Sequence, residues 1–80
     1  MFRRMDPAQI QSLILQAIPG ARVEVESDDN VHYTARVVSD RFQGQSRLQR
    51  HRVIHEAIGP AMGREIHALS LVLKTPQEAG

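Results

Sequence analysis

Four histidines are the residues of this chain best suited to hold a metal or move a proton: His32, His51, His55 and His67. Imidazole is a neutral metal donor and changes charge near neutrality. His51 and His55 stand four apart, the spacing that places two ligands on one helix face. The zinc-protease pattern needs a Glu directly after the first His. Here that place is Arg52, whose charge opposes a cation. The pair reads instead as two side chains at the border of an apolar face, each with a wet ring edge. His67 is different. It sits at the start of the most apolar run of the chain, Ile66 to Leu73. A lone His in such a run more often satisfies a backbone group than binds a ligand. His32 falls in the solvent-facing register of another apolar-alternating segment, just past a polar loop. Two His on neighbouring elements of one sheet can meet at an edge.

No enzyme constellation accompanies them. Asp28-Asp29 is a carboxylate pair within a loop, which reads as solvated turn chemistry. Ser39, Ser46 and Ser70 lack a nucleophile motif. Gly44, and Gly59 with Gly63, do not form a phosphate-cradling loop. With no Cys there is no disulfide, thiol nucleophile or zinc finger. Arg47, Arg50 and Arg52 cluster at the start of a helix and form a candidate nucleic-acid patch, against which stands a plain solvated helix start. Cations at that end oppose the helix dipole, which points mildly to an outside anion or acidic partner.

The elements that must position these residues follow from pattern. Eighty residues make one small domain, and 41% apolar with 24% charged residues is the composition of a folded protein. A net charge of +1 gives no overall field for nucleic acid or membrane. No apolar segment is long enough for a signal peptide or a membrane span, so a soluble, cytoplasmic monomer is expected. Residues 1–5 read as a disordered lead. Asp6-Pro7 opens a helix over 7–18, with Ile10, Leu13, Ile14 and Ala17 at helical spacing, closed by Pro19-Gly20. Over residues 21–26, Ala21, Val23 and Val25 alternate with Arg22, Glu24 and Glu26 in a first strand. Val31, Tyr33, Ala35 and Val37 alternate with His32, Thr34 and Arg36 in a second, giving a hairpin. Phe42 is expected as a buried anchor. Ser46 and Gln49 make a capping box for a second helix, which Gly59-Pro60 kinks or ends, with its end placed near residue 59 and room for an irregular turn up to Met62. Residues 66–73 are the third strand, stopped by Thr75-Pro76, and 77–80 a frayed tail. The order predicts a two-layer α/β (α+β) sandwich, three mixed strands with both helices on one face.

Phe42-x-Gly44-x-Ser46, Gln49-Arg50-His51-Arg52, Ile66-His67-Ala68-Leu69-Ser70 and Lys74-Thr75-Pro76 together resemble the BolA-like family, as does the hairpin from Val31 to Ser39. The resemblance runs over residues 8–77 and implies a fold like a class II KH domain, of α-β-β-α-β order. It implies two activities. One is partnership with a monothiol glutaredoxin, in which partner and glutathione supply thiolates to a shared 2Fe–2S cluster and the BolA-like chain supplies His. The other is DNA-binding transcriptional regulation. The family's histidine ligand maps onto His67. A second His or Cys comes from the loop between the first two strands. Ser27 to Asn30 holds neither, so His32 at its end is the candidate, and without Cys the chain resembles the histidine-type members. Arg50, His51 and Lys74 are the expected partner-docking residues. A single Gly between 42 and 46 does not provide the Gly-x-x-Gly of nucleic-acid-binding KH domains. No cluster is expected on the chain alone.

Overall fold

The computed structural model describes residues 5–61 and 68–80. Helix α1 spans Pro7–Ala17, strand β1 Arg22–Glu26, strand β2 His32–Val38, helix α2 Arg47–Ile58, strand β3 Ala68–Lys74 and a short helix α3 Pro76–Ala79. Both long helices begin as their sequences dictate. The Gln9 side chain accepts from the backbone N–H of Asp6 at 2.7 Å. Gln49 accepts from the Ser46 N–H at 2.8 Å, and the Ser46 hydroxyl accepts from Gln49 N–H at 3.2 Å. These bonds satisfy amides that have no partner inside the helix. Gly59 closes α2 at φ 66°, ψ −136°, a backbone conformation essentially reserved for glycine.

The sheet runs β1-β2-β3. β1 and β2 pair antiparallel with Val23 opposite Val37 and Val25 opposite Ala35. β2 and β3 pair parallel, with Tyr33 opposite Leu69, Ala35 opposite Leu71 and Val37 opposite Leu73. A parallel pair needs a crossover between its strands, and α2 is that crossover. The apolar register of all three strands faces α1 and α2. Ile10, Ile14, Phe42, Ile54 and Val37 are the largest fully buried side chains. Each contributes about 1.5–3 kcal/mol relative to exposure. The opposite register, with Glu24, Arg36 and Val72 in one row, is exposed.

The expected element order and mixed sheet are found, with three differences at the ends. Met5, placed in the disordered lead, is buried, and its carbonyl accepts from the Tyr33 hydroxyl at 2.5 Å. A tyrosine sunk in the core needs an acceptor for its O–H, and the main chain before α1 supplies it. The tail expected to fray forms α3: the Thr75 hydroxyl accepts from Glu78 N–H at 3.3 Å and Glu78 accepts from Thr75 N–H at 2.8 Å. The third strand extends to Lys74, while Ile66 and His67 lie outside the described residues.

Candidate functional site

One end of the sheet gathers the loop before β2 and the start of β3. Ser27 and Asp29 organise this loop by local hydrogen bonds, the habit of short polar side chains in turns. The Ser27 hydroxyl donates to the His32 carbonyl at 2.6 Å and accepts from Asn30 N–H at 2.8 Å. Asp29 Oδ1 accepts from the backbone N–H groups of Val31 and His32, both at 2.9 Å. Asp29 Oδ2 lies 2.8 Å from His32 Nδ1. The His32 backbone N–H, then the His32 ring and the Val31 N–H, hold the Asp29 carboxyl far below the usual carboxylate range. An ionised carboxylate only accepts. The neutral His32 ring therefore carries its proton on Nδ1 and keeps its lone pair on Nε2. The ring is 69% exposed, so Nε2 is open to solvent.

The Cα partner of His32 across the ladder is Ala68, the residue that follows His67. His67 itself is outside the described residues. Among the described residues no three His, Cys, Asp or Glu side chains group to hold a metal. His51 is half-buried and His55 exposed along α2. The loop carboxylates expected as one solvated pair have different surroundings. Asp28 is an exposed side chain, while Asp29 clamps His32. The signal was present in the spacing, since an Asp often accepts from the N–H groups two and three residues on.

The arginine cluster is not one patch. Arg50 turns inward, with its side chain 14% exposed. Its Nε donates to the Gln45 carbonyl at 3.1 Å and its Nη1 to the Leu73 carbonyl at 3.1 Å. Nη1 and Nη2 also grip the two Glu78 carboxylate oxygens at 2.7 and 3.2 Å. Its guanidinium lies 5.8 Å from the centroid of the Phe42 ring. Four of its five N–H donors are thus engaged inside the chain, and Arg50 is a clamp joining α2, β3 and α3. Arg47 and Arg52 are exposed, but five residues apart they project about 140° apart around the helix. Among the expected docking residues, Arg50 and His51 line one hollow with Gln45, Arg47 and Glu78. Lys74 lies on the exposed register of β3, the face away from α2. Pattern reading missed Glu78, whose carboxyl is pulled down to about 2 mainly by the Arg50 bond.

Comparison with known proteins places these residues in context. A family model described as BolA-like protein matches residues 14–78, a stretch that includes His32, Arg50, His67 and Glu78. BolA-like protein 1 of Mus musculus is 43% identical over 54 residues, covering 68% of this chain and 39% of that protein. The DNA-binding transcriptional regulator BolA of Escherichia coli (strain K12) is 32% identical over 72 residues, covering 89% of this chain and 69% of that one. The structure of a bolA protein homologue from Coxiella burnetii superposes with a TM-score of 0.80 at 37% identity, covering 94% of this chain and 96% of that chain. The chain thus spans well under half the length of the mouse relative.

Proposed function

This chain belongs to the BolA-like family, and from that premise we propose that it is a non-enzymatic cytoplasmic partner of a monothiol glutaredoxin. The two share a labile 2Fe–2S cluster with glutathione, in iron homeostasis or cluster trafficking. The observation that supports this most is the Asp29–His32 pair. A metal-binding imidazole commonly donates its other N–H to a carboxylate, which fixes tautomer and ring orientation. His32 has that arrangement before any metal arrives, and it stands opposite the neighbour of His67.

The donor set fits half a site. A 2Fe–2S cluster takes four ligands, usually thiolates, and this chain has no Cys. It offers His67, with His32 as the second candidate, and the partner and glutathione supply the thiolates. Neutral imidazole in place of a thiolate raises the cluster potential. It also makes retention sensitive to acid, because a protonated imidazole cannot ligate. The test is size exclusion of the chain mixed with a monothiol glutaredoxin, with and without iron, sulfide and glutathione. The expected result is a coloured heterodimer. Separate elution in both states overturns the proposal.

The E. coli relative's name favours a second reading, DNA binding. Exposed Arg47 and Arg52 are the cations left for it, since Arg50 is engaged internally. Two phosphate contacts imply a shallow salt dependence, with a slope of about −2 in log affinity against log salt. Tight, sequence-dependent mobility shifts at physiological salt would promote this reading over the cluster one.

A further inference from the structure

β3 is an edge strand of the sheet. In a parallel ladder, alternate residues turn both backbone groups toward the neighbour, and the rest turn theirs away. The two ends of β3 show which set is which. Ala68 N–H donates to the Val31 carbonyl at 3.4 Å, and the Lys74 carbonyl accepts from Ser39 N–H at 3.0 Å. Ala68, Ser70, Val72 and Lys74 therefore bond toward β2, while Leu69, Leu71 and Leu73 direct N–H and C=O to the open edge. Arg50 Nη1 occupies the Leu73 carbonyl. Among the described residues no strand pairs with this edge, and an edge of this kind is a template for another strand.

Space and charge beside the edge narrow the occupant. A hollow of about 400 Å³ runs along it, bordered by Leu71, Val72 and Leu73 and by Gln45, Arg47 and His51 of the α2 side. Its one carboxylate among the described residues, Glu78, is held by Arg50 in a two-pronged pair. Arg47 is exposed and has no such partner among the described residues, so the hollow presents positive charge. On the other side of the edge, Val72 is 40% exposed.

We propose that the Leu69–Leu73 edge of β3 docks an extended acidic segment of a partner protein as a fourth strand. In an antiparallel docking, the incoming residue opposite Leu71 exchanges two N–H···O bonds with it. Arg50 sets the register, because the Leu73 carbonyl is already taken and the added strand must end there. Side chains of the incoming strand alternate between faces. Those on the α2 side meet Arg47 and His51 and are acidic, while those on the other side rest on Val72 and are apolar. A two-residue period of main-chain donors and acceptors suits a polypeptide, and a net charge of +1 gives little attraction for a phosphate backbone. This inference rests on the ladder and the charges and stands apart from the cluster proposal.

The experiment is titration of the 15N-labelled chain with an acetylated, amidated heptapeptide of alternating Glu and Val. A Lys–Val peptide, a Glu–Val peptide N-methylated at its central residue and a single-stranded DNA oligonucleotide are the controls. The Glu–Val peptide should move the Leu69 and Leu71 amide protons downfield and bind about tenfold or more tighter than each control. Leu71→Pro removes an N–H that faces the edge rather than the ladder, a place where sheets tolerate proline. It should abolish peptide binding while the β1 and β2 amides keep their shifts. The N-methylated peptide decides the matter if that variant does not fold. Equal binding of the N-methylated peptide, shifts confined to other surfaces, or tighter binding of the oligonucleotide at the same amides would overturn the proposal.

Discussion

Replacing Arg50 by Ala is predicted to cost stability rather than to weaken an external contact. The side chain is 14% exposed and donates to two main-chain carbonyls, Gln45 and Leu73, at 3.1 Å each. A hydrogen bond from a charged donor is worth about 1.5–3 kcal/mol, so at the lower end the two together give about 3 kcal/mol. The carboxylate partner Glu78 is half-exposed, and water replaces much of that pair. A domain of this size loses about 4–8 °C of melting temperature per kcal/mol, which puts Arg50→Ala about 12–24 °C below the parent. Arg50→Lys keeps the charge but not the planar fork, so it reaches one partner and melts between the two. Thermal unfolding followed by far-UV circular dichroism, with urea titration beside it, measures this. A melting point for Arg50→Ala within about 3 °C of the parent would refute the clamp, since that shift corresponds to under about 1 kcal/mol.

The Glu78 carboxyl is held down to about 2 from 4.5, chiefly by its bond to Arg50 and then by Thr75 N–H. A depressed carboxyl stabilises the fold above its unfolded value and loses that contribution as the pH falls through the folded one. The gap in melting temperature between the parent and Glu78→Gln should therefore be full above about pH 4.5 and close toward pH 2. Gly59→Ala should destabilise by about 1–3 kcal/mol through backbone strain alone. A Cβ there meets nothing within 4 Å, so an unchanged urea midpoint would show that α2 ends without needing that conformation. For His32, long-range 15N correlation spectra of the neutral ring should show the proton on Nδ1, and Asp29→Asn should shift population to the other tautomer. The same tautomer mixture in both proteins would remove the carboxylate's orienting role.

Local rules carried most of the fold. Alternation of Val23, Val25, Tyr33, Ala35 and Val37 with polar residues fixed which register faces the helices. Ser46 with Gln49, and Gly59, marked the ends of α2 through chemistry confined to a few neighbouring residues. What pattern did not reveal depends on contacts between distant residues. The Thr75–Glu78 capping box that starts α3 is local, whereas its docking onto α2 through Glu78 and Arg50 joins residues 28 positions apart. Met5 lies in the core with its carbonyl within hydrogen-bond distance of the Tyr33 hydroxyl, also 28 positions away. The same distance effect misplaced Arg50. Its type and neighbours suggested an outward cation, and only the assembled β3 and α3 supply the carbonyl and carboxylate that turn it inward. At the candidate site, His32 and the spacing of Asp29 to the Val31 and His32 N–H groups were legible, while the contact of Asp29 with the His32 ring depends on how the loop folds. His67 was singled out by motif and its neighbour Ala68 pairs with His32.

The most direct measurement of the central claim is visible absorption and circular dichroism of the reconstituted heterodimer with glutaredoxin, made with the parent chain, His32→Ala and His67→Ala, beside a melting curve of each. His67→Ala is expected to lose or strongly alter the cluster bands at a near-parental melting temperature, with a smaller change for His32→Ala. An unchanged cluster spectrum in His67→Ala, with or without a lower melting temperature, would contradict it.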